Sequence, residues 1–184
     1  MGWMNDITHY MKLDPYFRQF NHKDITFSLM YAFSENFILP LSHDEVVHMK
    51  GSFLNKIPGP YEEKFAGVRA FYTYMLTHPG KKLLMMGSEF GQWNEWHYEY
   101  SLDWHLMENK ENRDIKAFFQ AANAFYLENK PLWDLDFSWE GFQWICADDN
   151  QNNCASFLRK DSKGDFILAV CNFSPVHRPG YRLG

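Results

Sequence analysis

The sequence predicts an α/β protein in which a parallel sheet with crossover helices is followed by a smaller antiparallel β part. Two runs of consecutive apolar residues, at 36–42 and 82–86, flank a segment of helical periodicity at 60–77. Successive apolar residues are typical of strands covered on both faces, and a strand, a helix and a strand in this order form a βαβ unit. Short β-type runs separated by turn residues then follow at 142–146, 155–159 and 166–170.

The chain elements are expected in the following order. Asn5 or Asp6 caps a first helix whose residues Ile7, Tyr10 and Met11 share one face, and Pro15 ends it. Asp24 caps a second helical piece. The Gly-, Pro- and Ser-containing stretch 51–60 is predicted to be a loop.

A long helix then begins near Pro60 and stops at His78-Pro79-Gly80. Residues 115–129 form another helix with Phe118, Phe119, Ala122 and Phe125 on its buried side. We place a domain boundary near residue 136, which gives parts 1–136 and 137–184.

The bulk composition excludes several classes of function. The chain has 184 residues, of which 46% are hydrophobic, and a net charge of −5, so it lacks the clustered basic residues that bind nucleic acid. No apolar stretch reaches the roughly 18 residues of a membrane span, and the first residues do not resemble a signal peptide. The three cysteines, Cys146, Cys154 and Cys171, show no CxxC spacing, and we expect buried, reduced thiols in a cytoplasmic protein.

Both predicted parallel strands end in polar residues. The first is followed by Ser42, His43, Asp44 and Glu45, and the second by a loop that contains Glu89. Ligands gather at the carboxyl ends of parallel strands, and paired carboxylates are the groups that glycoside chemistry uses. A carboxylate beside an imidazole stays ionised and can stabilise a cationic transition state. The spacing is equally compatible with Asp44 serving only as the cap of the segment that begins at Glu45.

Other chemistries fit the sequence less well. His43 and His48 are five residues apart rather than four, and a single Glu-x-x-His occurs here, so neither zinc-protease nor di-iron patterns are met. The chain has no Gly-x-Ser-x-Gly elbow and no Gly-rich phosphate loop. We therefore predict no metal site.

Several ordered motifs resemble one family, the bacterial glycogen (1,4-α-glucan) branching enzymes of the α-amylase superfamily. The motifs are MGWMND at 1–6, LPLSHDEVVH at 39–48, PGKKLL at 79–84, MGSEFGQWNEW at 86–96 and SLDWHL at 101–106. The resemblance covers essentially the whole chain. It implies the last strands and helices of an amylase-type (β/α)8 barrel in residues 1–136 and the start of an all-β C-terminal domain in residues 137–184.

The resemblance also implies residue roles and a partner, an α-glucan such as glycogen, and it implies no organic cofactor and no catalytic metal. Asp44 matches the third catalytic carboxylate, which stabilises the transition state, and His43 matches the histidine that binds the sugar beside it. The residues that match the substrate cleft are Glu89, Trp93, Asn94 and Glu95. For Trp93 and Trp96, packing under the loop is an equally good interpretation. Met49 replaces the glycine usual after this histidine.

No carboxylate of this chain matches the nucleophile or the general acid of the family. We therefore expect a C-terminal fragment that has no branching activity alone. Two alternatives remain open at this point: a carbohydrate-binding or structural β module without catalysis, and another α-glucan-acting relative such as a debranching hydrolase.

Overall fold

The computed structural model describes residues 2–184, so Met1, the first residue of the predicted 1–136 part, lies outside it. The α-helices are α1 (Gly2–Lys12), α2 (Pro15–Arg18), α3 (Lys23–Thr26), α4 (Phe53–Lys56), α5 (Tyr61–Thr77) and α6 (Lys110–Glu128). The strands are β1 (Ile38–Leu41), β2 (Lys81–Leu84), β3 (Phe142–Cys146), β4 (Cys154–Lys160) and β5 (Phe166–Asn172). Short 3₁₀ turns connect several of them.

Strands β1 and β2 pair in parallel, which confirms the predicted βαβ unit. The register runs from Ile38 opposite Lys81 to Leu41 opposite Leu84. Helices α4 and α5 lie between the two strands in the chain. The carboxyl ends of both strands therefore lie at one edge, where the turn after Leu41 and the loop after Leu84 meet.

One face of this small sheet is not covered by residues 2–184, contrary to the expectation of two covered faces. Leu39 and Leu41 are buried, whereas Ile38 and Leu83 are exposed. Paired residues of a parallel sheet point to the same side, so the exposed side chains share one face. The unbroken apolar run thus predicts more cover than the described residues supply.

Helix α5 forms the centre of the core, as its periodicity predicts. Phe65, Val68, Tyr72, Met75 and Leu76 are all buried, and the helix ends with His78 as its C-cap. Helix α6 packs against it but begins at Lys110, five residues before the predicted start. The predicted buried side of α6 is confirmed in part: Phe118 and Phe119 are partly buried and pack against the core, whereas Phe125 is about half exposed. The most buried residues of this helix are Asn112 and Ile115.

The C-terminal part forms an antiparallel sheet in the order β3-β4-β5, as expected. A bulge between Trp144 and Cys146 shifts the β3-β4 register. Phe157 of β4 is fully buried and contacts the rings of Phe142, Trp144 and Tyr74. Tyr74 belongs to α5, so the sheet shares its apolar core with the helical part.

Several local expectations were wrong. Helix α1 begins at Gly2, before Asn5 and Asp6, and Asp24 lies inside α3, where its carboxylate pairs with His9. The expected 51–60 loop contains α4, because the Ser52 hydroxyl accepts a hydrogen bond from the Asn55 amide and caps a short helix.

The three cysteines are free, as expected, but Cys146 is only partly buried. Within residues 2–184 no helix has the length and apolar character that crossing a bilayer requires.

A buried ion pair joins the sheet to the helical part. Arg159 of β4 is fully buried, and its guanidinium donates to Asp136 Oδ1 at 2.8 Å and to the Thr77 carbonyl at 2.8 Å. Asp136 also accepts from the Gly80 amide at 3.3 Å and from Lys81 Nζ at 2.9 Å. Burial raises the pKa of Asp136, but Lys82, Lys81 and Arg159 outweigh it, so the pKa lies below its ordinary value.

We expect Asp136→Asn to lower the free energy of unfolding at pH 7 by about 3 kcal/mol, because it leaves a buried guanidinium without a counter-charge. The folded-state pKa of Asp136 is depressed, so its stabilisation is present above the unfolded value of about 3.9 and is lost as the pH falls through the folded value. Urea denaturation at pH 7 and pH 3 measures both effects, with exposed Asp165→Asn as the control. A loss of less than about 1 kcal/mol in the free energy of unfolding of Asp136→Asn at pH 7 would contradict the stabilising role of this ion pair.

Candidate functional site

The turn after β1 presents His43 and Asp44 at the edge where the parallel strands end. It is a 3₁₀ turn, His43–Glu45, and its N-cap is Ser42. The Ser42 hydroxyl accepts from the Asp44 amide at 3.3 Å and donates to Asp44 Oδ2 at 3.2 Å. The alternative that Asp44 is only the cap of this turn is therefore wrong, since Ser42 takes that position.

The Asp44 carboxylate lies beside the imidazole of His43 and faces solvent. His43 Nε2 is 3.3 Å from Asp44 Oδ1, and the Asp44 side chain is 55% exposed. The Lys50 ammonium donates to the backbone carbonyl of Asp44 at 2.6 Å, so it supports the turn and leaves the carboxylate open. A carboxylate in this position is accessible to a ligand and is oriented by two neighbours.

Glu45, the next residue, is buried, and three ammonium groups lie around its carboxylate. Lys12, Lys50 and Lys56 place their Nζ atoms 3.8, 3.5 and 3.9 Å from it. The Lys56 side chain is 1% exposed, and burial, with a contribution from Lys12, lowers its pKa to about 8. This cluster anchors the turn from beneath, because a buried carboxylate is stable there only with its counter-charges.

A second carboxylate, Glu95, holds the strained segment that follows the turn. His48 and Met49 have φ angles of 57° and 68°, and Gly51 has 74°. The Glu95 carboxylate accepts from the Met49 amide at 3.0 Å and from the Gly51 amide at 2.6 Å. The hydrogen bond from the Gly51 amide is the main cause of the lowered pKa of Glu95. Glu95 reaches the predicted cleft, but its oxygens serve this backbone.

The other predicted cleft residues take different positions in the loop after β2. Glu89 turns back to accept from the Gly87 amide at 2.7 Å, and the Trp93 ring contacts Tyr61 at 5.7 Å between centroids. The backbone amide of Asn94 donates a hydrogen bond to Asp103 Oδ2 at 3.1 Å, and Asn94 lines the cleft described next. Trp96 packs against the hydrophobic core, which supports the packing interpretation for that residue.

An open cleft of about 600 Å³ lies between this loop and the His43 turn. Its walls contain His43, Asn94 and Glu95. The loop is held beside the turn by a hydrogen bond from the Trp96 backbone amide to the Val46 carbonyl, at 3.0 Å. Asp44, Glu89 and Trp93 are not part of the walls that residues 2–184 form, but the Asp44 carboxylate lies 3.3 Å from His43 Nε2, and His43 is part of a wall. The cleft therefore brings together three of the six predicted site residues, and Asp44 adjoins one of them.

Sequence reasoning missed two features of this site. Lys12 and Lys56 are distant from Glu45 in the chain, and nothing local identifies them as its partners. The cleft also holds three exposed rings, with His97 stacked on Tyr98 at 5.1 Å and near Tyr100 at 4.9 Å. The aromatic run Trp96 to Tyr100 was a visible signal for these rings.

The arrangement suits the binding of a neutral, ring-shaped ligand beside an exposed carboxylate. Aromatic faces and a few polar groups are typical of small-molecule clefts. In the described residues, His, Cys, Asp and Glu side chains form no group of three or more that could hold a metal ion.

Comparison with known proteins first defines the class of the C-terminal part. Residues 144–184 match the family model of the α-amylase C-terminal all-β domain. This stretch contains most of the antiparallel sheet, so that domain is present in the chain.

Comparison with curated relatives then extends the similarity to the whole chain. The chain is 55% identical, over 185 aligned positions, to a 1,4-alpha-glucan branching enzyme of Aquifex aeolicus. It is 53% and 52% identical to the enzymes of that name from Bacillus cytotoxicus and Aromatoleum aromaticum. All of this chain is covered in each case, but it spans only 29% of the relatives' length. The resemblance to a C-terminal segment of branching enzymes is thus confirmed.

We expect Glu95→Gln to loosen the segment after the His43 turn, because an amide accepts more weakly than a carboxylate and cannot serve both backbone donors as well. Hydrogen exchange at the Met49 and Gly51 amides should accelerate by about tenfold, which corresponds to roughly 1.4 kcal/mol. Glu99→Gln in the same loop is the control and should leave both amides unchanged. Equal exchange rates in the two variants would contradict the role of Glu95.

We expect Met49→Gly to stabilise the chain by about 0.5–1 kcal/mol, because Met49 has a left-handed φ of 68° that glycine adopts without strain. Met30 provides a matched control, since it is also exposed, at 77% against 97%, but lies in a 3₁₀ turn. Met30→Gly should be neutral or destabilising. Thermal unfolding of the three proteins measures the difference, and a lower melting temperature for Met49→Gly would refute the strain.

Proposed function

We propose that this chain forms the part of a 1,4-α-glucan branching enzyme that supplies the carboxylate for transition-state stabilisation. The observation that carries the proposal is the position of Asp44, which is exposed and lies 3.3 Å from His43, a residue that lines the cleft where two parallel strands end. The similarity of the whole of this chain to a segment of enzymes of that name supports it.

In this proposal residues 1–136 are the last part of a (β/α)8 barrel, and residues 137–184 begin the all-β C-terminal domain. The parallel pair β1-β2 with its crossover helices and the exposed Ile38–Leu83 face support the barrel. In a closed barrel one sheet face packs inward and the other against helices, so the exposed face is the one that further strands and their side chains would cover. The buried face, with Leu39 and Leu41, lies on the core that α5 shares.

The chemistry is retaining transfer within an α-glucan. A nucleophile displaces the chain at the anomeric carbon, an acid protonates the leaving oxygen, and the covalent glucan then passes to a 6-hydroxyl of an acceptor. In both steps the Asp44 carboxylate stabilises the positive charge that develops on the sugar ring. His43, with its ring on the cleft wall, is placed to hydrogen-bond a sugar hydroxyl.

The remaining predicted residues have supporting roles in this mechanism. Asn94 lines the cleft, and Glu95 holds the 48–51 segment through its two backbone hydrogen bonds. The rings of His97, Tyr98 and Tyr100 cover the glucan and exclude water, which favours transfer to an acceptor over hydrolysis. We assign the protein to glycogen biosynthesis in the cytoplasm.

To test this proposal, the aligned segment of the Aquifex aeolicus relative is replaced by this chain, which gives a chimeric enzyme. The chimera should branch amylose, seen as a loss of iodine colour together with new α-1,6 linkages. Asp44→Asn should reduce the rate by about 10³-fold or more, because removing a preorganised charge at the reacting centre costs several kcal/mol. The 184-residue chain alone should be inactive, since one of the three carboxylates cannot complete the reaction.

Asp114→Asn is the matched control for this substitution. Asp114 lies on α6 and its side chain is 53% exposed, against 55% for Asp44. Both variants therefore lose one negative charge from a similarly exposed position. Full activity of the Asp44→Asn chimera would contradict the proposal and would favour a binding role without catalysis.

A further inference from the structure

Two lysines connect helix α4 to the backbone of Asp44. Lys56, the last residue of α4, donates from its Nζ to the carbonyl of Lys50 at 2.6 Å. Lys50 in turn donates from its own Nζ to the carbonyl of Asp44 at 2.6 Å. Hydrogen bonds from an ammonium group are stronger than those between neutral groups. The position of the Asp44 backbone is therefore coupled to Lys56 through Lys50.

The 48–51 segment, which contains Lys50, depends on its surroundings for its shape. Three of its residues have positive φ angles. Such a backbone conformation costs free energy when the residue is not glycine, so it persists only where contacts hold it. Glu95 binds two amides of this segment, and Lys56 binds the Lys50 carbonyl. Lys56 thus fixes the residue whose side chain reaches Asp44.

The three ammonium groups around Glu45 differ in their exposure to water. The side chains of Lys12 and Lys50 are 44% and 45% exposed, whereas that of Lys56 is 1% exposed. Exposed ion pairs are screened by water and contribute little. The buried Lys56 ammonium depends instead on Glu45 and the Lys50 carbonyl, and they depend on it. Lys56 is therefore the lysine whose loss should disturb the turn most.

Lys56 is also the lysine of this cluster whose charge changes close to neutral pH. Burial lowers its pKa to about 8, and Lys12 on α1 and Lys50 act in the same direction. Glu45 in the turn and Glu95 in the loop after β2 oppose the shift. The pKa of an unfolded lysine is about 10.4, so the unfolded chain holds this proton more tightly. This group therefore adds stability as the pH rises through about 8, and its deprotonation does not unfold the chain.

We propose that Lys56 is a positioning residue for Asp44, which it holds through the carbonyl and the side chain of Lys50 while it anchors Glu45 beneath the turn. The effect on catalysis rests on the proposed function, whereas the path of hydrogen bonds does not. Movement of the Asp44 backbone would shift its carboxylate relative to the sugar ring, and a displacement of about 1 Å at a reacting centre can lower a rate roughly 100-fold. Activity should therefore fall as Lys56 loses its proton above about pH 8.

Carbonyl ¹³C chemical shifts of the labelled 184-residue chain test the path without any need for activity. Between about pH 6 and about pH 10, the carbonyls of Lys50 and Asp44 should titrate with one midpoint near pH 8. Lys56→Met should abolish both titrations. In Lys50→Met the carbonyl of residue 50 should still titrate, whereas the Asp44 carbonyl should lose most of its shift change.

Lys12→Met is the matched control for Lys50→Met. Lys12 is equally exposed and lies 3.8 Å from the same Glu45 carboxylate, but within residues 2–184 it donates no side-chain hydrogen bond to the backbone of the turn. Both carbonyl titrations should remain in this variant. Their midpoint should rise, because Lys12 lowers the pKa of Lys56.

Turnover of the chimeric enzyme tests the consequence for catalysis. Lys56→Met and Lys50→Met should each lower kcat by roughly 10- to 100-fold and leave KM within about twofold. The double variant should lose no more than the larger single effect, because both residues act along one path. Lys12→Met should lower kcat by at most about twofold. The wild-type chimera should lose kcat above about pH 8, and Lys56→Met should lack this decline.

The outcomes separate this inference from the proposed function. Loss of the Asp44 titration in Lys50→Met, with non-additive effects on kcat, supports the path from Lys56. An Asp44 carbonyl that titrates equally in Lys50→Met and wild type overturns it, as do multiplicative losses in the double variant. Because Lys50 is half exposed, these results do not depend on whether Lys56→Met folds, which its melting temperature shows. Full activity of the Asp44→Asn chimera contradicts the proposed function and leaves the carbonyl titrations to decide the path.

Discussion

The parallel pairing of β1 with β2 is the constraint on which the whole site depends. It places the ends of both strands at one edge, and the ladder continues into a bond from the Met85 amide to the Leu41 carbonyl at 2.8 Å. The His43 turn and the loop of residues 87–103 begin at this point. A shift of one residue in the register would turn Leu39 and Leu41 away from the core and would separate the two loops.

Three carboxylates within this small region differ in role because their surroundings differ. Glu45 is buried among lysines and anchors the turn, and Glu95 is occupied by two backbone amides. Asp44 alone points to solvent, with His43 and Ser42 as its neighbours. Residue type therefore does not assign function here, since the acidic group available to a ligand is the one whose neighbours leave it open.

The sequence predicted what depends on local pattern. The two parallel strands, helix α5 and the three C-terminal strands follow from apolar periodicity and turn residues, and the position of His43 and Asp44 follows from the end of β1. It failed where distant contacts decide. The lysines around Glu45, the Arg159–Asp136 pair and the exposure of Phe125 depend on which surfaces meet in three dimensions. The role of Glu95 depends on a backbone segment with positive φ angles, which only Gly51 signals in the sequence.

The most direct measurement of the central claim is an amide chemical-shift titration of the isotopically labelled chain with maltohexaose. The account predicts shift changes at His43, Asp44 and Asn94 and along residues 97–103, because these line or border one cleft at the ends of the parallel strands. Unchanged amide shifts at all of these residues at saturating maltohexaose would contradict it.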